Sequence, residues 1–335
     1  MTGEGSSRKR AAGGGGVGDL PREVLDNLLE GCQVIDREYR YLYVNEAVTR
    51  HGRKSREELL GRRMGEVYPG IEETEMFAEL RRCMEESTPG TMVNEFRFSN
   101  GERAWFELRF QPVPVGVSVL SVDITERKST ELALKRSRRA LTVLSECNQT
   151  LVRAKDERQF VEDVCRIAVG KGGYRLAWLG MKEEDRERGR VVRPVASAGM
   201  DDGYTEGVGI RWDNTERGKG PAGRALLEEA TVVCRSIATD PVFEMWREAA
   251  LNRGFESCIA LPIKVDGEGD WVFVIYAAEA ESFDDSERKL LEELALDLGH
   301  GIRTLRAQER HRKTGERLRA IVQASPTAVF SLDAQ

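Results

Sequence analysis

The sequence predicts an α+β protein in which two antiparallel sheets, each flanked by helices, are joined by a long helical linker. Three patterns carry that expectation. Residues 92–110 hold two runs that alternate apolar and polar positions on either side of an Asn-Gly turn. Residues 130–151 read as one uninterrupted helix with leucines three and four apart. Residues 257–265 and 271–278 are almost continuously apolar, as central strands covered on both faces must be.

The 335 residues suffice for two domains with a core each. A net charge of −6 disfavours nucleic acid as a partner, because phosphate binding needs a concentrated basic surface. The basic triplet Arg8-Lys9-Arg10 lies in a Gly/Ser-rich tail, residues 1–19, whose composition fits disordered, solvated chain. No run reaches the ~20 apolar residues that span a bilayer, and the N-terminus lacks an apolar signal core, so a cytoplasmic protein is expected. Cys32, Cys83, Cys147, Cys165, Cys234 and Cys258 are scattered with no Cys-x-x-Cys pair. That fits reduced, partly buried thiols and no metal site.

Along residues 20–128 the elements come in the order helix, two strands, short helices, three strands. An amphipathic helix is expected over 21–30, then strands over 33–36 and 39–45. Ser55-Arg56-Glu57-Glu58 has capping-box spacing, and Gly61 can end the helix it opens. A helix over 73–86 places Phe77, Leu80 and Met84 on one face. Asn100-Gly101 is read as a two-residue hairpin turn, with Ala104, Phe106, Leu108 and Phe110 returning on one face. A last strand covers 116–124.

The runs Tyr41-Leu42-Tyr43-Val44-Asn45-Glu46-Ala47, Ser55-Arg56-Glu57-Glu58-Leu59-Leu60-Gly61 and Asp123-Ile124-Thr125-Glu126-Arg127-Lys128 resemble a PAS domain with its C-terminal motif. The resemblance implies a five-stranded antiparallel sheet, and a pocket that binds a small molecule or is simply a packed core. It also implies that Asp123, Ile124 and Thr125 pass strain from the sheet into the next helix. In that helix Leu134, Ser137, Leu141, Leu144, Asn148 and Leu151 fall on an a/d seam, with Asn148 placed to fix the register of a coiled-coil homodimer. The other reading is a single helix packed on its neighbouring domain. The linker is assigned to 129–150.

Residues 151–308 carry Gly220-Pro221-Ala222-Gly223-Arg224-Ala225-Leu226, Asp240-Pro241, Ser257-Cys258-Ile259-Ala260-Leu261-Pro262-Ile263, and Phe283 with Glu287 ahead of Leu290-Leu291. These resemble a GAF domain, which implies a six-stranded antiparallel sheet between helices and, in some members, a small-ligand pocket. A closing helix is expected from 284 to about 306. Residues 309–335 resemble the opening helix and first strand of a further PAS domain, so the sequence is expected to stop short of a whole domain.

No catalytic constellation is expected. His300, in Leu298-Gly299-His300-Gly301, lacks the surroundings of a phosphoacceptor, and His311 has no ATP-binding region behind it. His51, in Thr49-Arg50-His51-Gly52-Arg53, is read as a polar helix end rather than a pocket residue. Gly218-Lys219-Gly220-Pro221-Ala222-Gly223 lacks the ending of a phosphate loop, and no serine occupies a nucleophile elbow. No flavin, bilin or haem attachment motif is seen, so the cofactor stays unknown. The expected function is a signal-sensing module that passes a change induced by a small-molecule ligand or a partner to an output domain outside this chain. Two rivals stay open: the N-terminal part of a sensor histidine kinase, and a ligand-free scaffold with filled interiors.

Overall fold

The computed structural model describes residues 24–98, 100–187, 189–207, 209–265 and 270–324. The glycine-rich tail, most of the expected first helix's start and the expected strand after residue 324 lie outside them. The chain divides into two compact units, Met1–Glu131 and Leu132–Gln335.

In the first unit, β1 (Gly31–Asp36) and β2 (Tyr41–Val44) form a hairpin. Asp36 Oδ1 accepts from the N–H groups of Glu38 and Arg40, both at 2.8 Å, so the polar break between the strands is a side-chain-capped turn. Short helices follow: α1 (Glu46–Gly52), α2 (Arg56–Leu59), α3 (Met64–Val67) and the longer α4 (Glu75–Glu86). The Ser55–Glu58 capping box forms as its spacing predicts, and Gly61 lies in the left-handed region just past α2. Then come β3 (Gly90–Arg97), β4 (Arg103–Val113) and β5 (Gly116–Asp123), giving the sheet order β2-β1-β5-β4-β3, all antiparallel. Phe106, Leu108 and Phe110 face the core with Ile35, Leu59, Phe77 and Leu80.

The β3–β4 turn is one residue longer than expected. Phe98 donates its N–H to Glu102 O at 2.8 Å, and Gly101 donates to Phe98 O at 2.9 Å. Three residues therefore connect the pair, with Gly101 at φ +86°. The glycine is needed there, but it follows the turn instead of forming half of it.

The second unit takes in the later part of α5 (Thr125–Arg153), then α6 (Glu157–Gly170), β6 (Leu176–Asp185) and β7 (Gly189–Gly199). It continues through α7 (Tyr204–Gly207), α8 (Pro221–Glu228), β8 (Val232–Cys234), α9 (Arg247–Leu251), β9 (Ser257–Ile263), β10 (Trp271–Ala277) and α10 (Asp285–Ala324). The sheet order is β7-β6-β10-β9-β8. Every residue of β10 is buried: Trp271, Phe273 and Ile275 meet α5, α6 and α10, whereas Val272, Val274 and Tyr276 meet α8 and the loops. That is the physical reason for its unbroken apolar run.

Two expectations for this unit are corrected. Its sheet has five strands among the described residues, not six; beside β7 a further strand shrinks to a single bridge between Arg211 and Val191. The closing helix does not stop near 306 but runs on to Ala324. Its buried stripe, Leu291, Leu294, Leu298, Ile302 and Leu305, ends where expected. Beyond it, pairs such as Arg312–Glu309 and Arg312–Glu316 support a solvated helix.

Candidate functional site: a cavity in the first unit

The first unit is not filled. Between its sheet and α1, α3 and α4 lies a cavity of ≈ 90 Å³, walled by Val48, Met64, Ile71, Met76, Phe106 and Leu108. Polar side chains reach this apolar space as well, among them Gln33 from β1, His51 from α1, Asn94 from β3 and Ser121 from β5. His51 Nδ1 and Ser121 Oγ are 3.0 Å apart, and the imidazole rests on Phe106 with ring centroids 5.0 Å apart.

The local sequence explains the pairing. α1 turns Ala47, Val48 and His51 inward, spaced by four and three residues, and Asn45 caps it by accepting from Val48 N at 3.1 Å. On β5, Val117, Val119 and Ser121 share the inward face, so Ser121 is a polar residue in a core position. Gly31 is paired with Ser121 in the β1–β5 register. A Cβ at Gly31 would press into Ser121 Oγ and lie 2.9 Å from His51 Nδ1. The missing side chain at position 31 makes room for the two polar groups.

Burial pushes the His51 imidazole below its ordinary value, Asp123 opposes that shift, and Arg50 adds to it. The ring is therefore neutral near pH 7, with one nitrogen to donate and one to accept. Tyr68 closes the outer side of the cavity, its hydroxyl donating to Gly52 O at 3.3 Å and its ring edge-on to Phe96. Burial pushes the Tyr68 hydroxyl up to about 12, so it stays a donor.

Of the residues expected to carry function, Asp123, Ile124 and Thr125 form a clamp at the end of β5. Asp123 Oδ1 accepts from Thr125 N at 2.9 Å and Thr125 Oγ1 accepts from Trp105 N at 2.9 Å. Ile124 N–H donates to Trp105 O at 2.8 Å, and its side chain is buried. Asn148 is elsewhere: it donates to Asp297 Oδ2 on α10 at 2.9 Å.

The face of α5 buried in the second unit runs through Ala140, Val143 and Cys147, not along the expected seam. Leu144 and Leu151 pack on that same core, and Leu134 and Leu141 stay exposed. The expected seam divides because the unit's own core uses the neighbouring helix face. Near it, Glu287 is fully buried, accepting from Arg139 Nε at 2.6 Å and Tyr174 OH at 2.7 Å.

His51 corrects its reading as a polar helix end. It lines the cavity because α1 is amphipathic up to its last turn. The sequence signal existed in the three-residue spacing from Val48, but the flanking Arg50 and Arg53 hid it. Ser121 and Gly31 went unread as well, though a serine on an otherwise apolar strand face is a visible anomaly. The six cysteines are buried and free, and burial pushes the thiols of Cys147 and Cys258 well up, which keeps them protonated. A cavity in the second unit, against Tyr204, Phe243, Trp246 and Tyr276, is ≈ 20 Å³, water-sized. Among the described residues no His/Cys/Asp/Glu group could hold a metal ion, and no helix is long and apolar enough to cross a membrane.

A PAS-fold profile matches residues 25–129, and a GAF-domain profile matches residues 154–303. The chain carries a PAS fold followed by a GAF domain. No curated protein matches it. Among solved structures, the GAF domain of a phosphoenolpyruvate-protein phosphotransferase from Coxiella burnetii is 19% identical, with 52% of this chain and 98% of that one covered at a TM-score of 0.41. A free methionine-R-sulfoxide reductase from Neisseria meningitidis, solved with its substrate, is 18% identical over 53% of this chain and 93% of its own, at 0.41. A PAS domain from Colwellia psychrerythraea is 16% identical over 33% of this chain and 99% of its own, at 0.30. At these scores the likenesses carry no functional argument.

Proposed function

We propose that the PAS domain senses a small molecule in its cavity and that occupancy is passed through the Asp123–Thr125 clamp into α5, and from there to an output domain outside this chain. One observation carries the reading. Ser121, which lines the cavity and pairs with His51, lies two residues before Asp123 on the same strand. A ligand that takes over the Ser121 or His51 hydrogen bond moves the strand end whose carboxylate caps Thr125. A shift in the clamp is then a differential contact between empty and occupied states, which is what a ligand needs in order to shift a population.

The scaffold reading requires filled interiors with no polar group pointing inward. The inward His51 and Ser121 speak against it for the PAS domain, whereas the nearly filled GAF interior fits a packing role for that domain. Pairing with a second copy is supported by the exposed Leu134 and Leu141 on α5.

The test is hydrogen–deuterium exchange of the full chain with and without isobutanol, a neutral apolar guest, with His51 imidazole resonances reporting its entry. Altered protection at residues 125–128, exceeding that across the rest of the PAS domain, is the expected result. Bound guest with unaltered exchange there defeats the transmission route. A guest that never perturbs His51 favours the scaffold.

A further inference from the structure

We infer that the PAS cavity takes an amphipathic ligand with a short alkyl end and an anionic head. The alkyl end enters between Phe106 and Leu108, and the head stays in the groove outside Tyr68. The inference rests on the ligand-sensing reading above and names the class of molecule it requires.

The geometry has two compartments. The inner cavity of ≈ 90 Å³ and an outer groove of ≈ 800 Å³ share Gly52, Tyr68, Ile71, Met76, Asn94 and Phe96 as a common wall. The two spaces adjoin along these residues. Tyr68 forms part of that wall through the single 3.3 Å hydrogen bond to Gly52 O. The inner space is below the ~150 Å³ that holds a benzene ring in an engineered apolar cavity, so a branched three- or four-carbon end fits better than a six-membered ring.

Charge separates the compartments. No Asp or Glu lines the inner cavity, and its one titratable cation former, His51, is held neutral by burial against the counter-pull of Asp123. The outer groove carries Arg53, Lys54 and Arg97 against a single lining acid, Glu95. Arg53 sits in the left-handed region at the end of α1, with its guanidinium 3.8 Å over the Phe98 ring and paired with Glu102. Lys54 pairs with Glu58 at 3.1 Å and Arg97 with Glu95 at 3.6 Å. The Arg53 and Lys54 pairs are exposed, so an incoming anion displaces them at little cost, whereas the Glu95 carboxylate is mostly buried. A cationic ligand finds no carboxylate in the inner cavity, and outside it three cations against the one lining acid. A wholly neutral apolar ligand leaves the groove unused.

The head group can be a carboxylate or a phosphate ester, since a guanidinium fork suits both. Calorimetry and ligand-observed NMR on the full chain distinguish them, with four probes: 4-methylpentanoate, 3-methylbutyl phosphate, 4-methylpentanamide and acetate. The expected result is that one of the two anions binds at least about tenfold tighter than the amide, with acetate weakest. In R53A/R97A that advantage over the amide disappears while amide binding is unchanged. The tighter of the two anions identifies the head. Equal binding of acid, phosphate and amide overturns the anionic head and leaves the cavity reading standing. Acetate binding as well as 4-methylpentanoate shows surface ion pairing alone and overturns both. If R53A/R97A keeps the full anion preference, the head does not lie in this groove and the inference falls.

Discussion

The buried carboxylate of Glu287 offers the sharpest quantitative test of how the GAF domain is held together. Its side chain is fully buried, and Arg139, 15% exposed, reaches it with Nε at 2.6 Å and Nη2 at 3.1 Å, while the Tyr174 hydroxyl donates at 2.7 Å. Replacing Arg139 with Met strands that carboxylate in the interior with one donor left. Breaking a buried pair this way costs ~3–5 kcal/mol, and the surviving Tyr174 bond puts the value near the lower end. Glu287→Leu strands Arg139 instead, leaving it the Ser282 carbonyl at 3.3 Å and the face of the Tyr174 ring at 4.5 Å, with a penalty of ~3 kcal/mol. The double variant strands neither charge and loses only the Tyr174 partner, a cost of ~1–2 kcal/mol. The two single losses therefore exceed the double loss by ~4 kcal/mol.

The assay is urea unfolding by tryptophan fluorescence in a W105F background. Trp178, Trp212, Trp246 and Trp271 all lie in the GAF unit, so the signal then reports that unit alone. The pH dependence has a definite sign. Burial already raises the Glu287 carboxyl above its ordinary value, against the lowering by Arg139. A group whose folded value exceeds its unfolded one loses stability as pH rises through the folded value. Removing Arg139 raises that value further, so the penalty of R139M is larger at about pH 8 than at about pH 5. Single losses that simply add, or an R139M penalty that is flat with pH, refute the buried-pair account.

Two further predictions concern the PAS cavity. The His51 imidazole is depressed by burial, so the unfolded chain binds its proton first as pH falls below about 6.5. Stability is then full above about pH 6.5 and declines toward the folded value, at no more than the ~1.4 kcal/mol per pH unit that one proton allows; H51Q removes that segment of the pH profile in urea titrations, and an unchanged profile rejects it. Gly31→Ala crowds the His51–Ser121 pair and costs ~1–3 kcal/mol by overpacking, while expelling isobutanol from the cavity. Wild-type stability together with wild-type guest binding would show that the space at Gly31 is not shared with the cavity.

The parts of this molecule legible in its sequence are those with a strong local period or a fixed local hydrogen bond. The Ser55 capping box, the alternating faces of β3 and β4 and the unbroken apolar runs of β9 and β10 were readable because each rule acts within a few residues. Less is legible where two partners far apart compete for one face. The a/d spacing on α5 is real, yet the GAF core takes Ala140, Val143 and Cys147, one step around the helix from it. Asn148 has the polarity of a register-fixing residue, but Asp297, 149 residues away, accepts its amide hydrogen. The ladder of α10 likewise hides where burial stops, since ion pairs three and four apart sustain a helix with no core beneath it. The room for the His51–Ser121 pair was invisible for another reason: it depends on an atom that Gly31 does not have.

The clamp and the buried pair belong to one argument because both act on α5. Thr125 opens that helix with its hydroxyl engaged by Trp105 of the PAS sheet. Arg139, further along the same helix, ends in the fully buried Glu287. A helix with a single anchor could absorb a displacement at its start by fraying or by rotating in solvent. One whose guanidinium is locked on a desolvated carboxylate cannot rotate without breaking contacts worth several kcal/mol. In the transmission route proposed above, this lock is what would hold the GAF end of the helix against a pull at Asp123. R139M tests this separately from stability. In conditions where the variant is still fully folded, guest binding in the PAS cavity should alter exchange at residues 125–128 as before, and the response in the α10 segment around Glu287 that wild type gives should vanish. A response that survives in R139M would mean that the pair stabilises the domain but carries no signal.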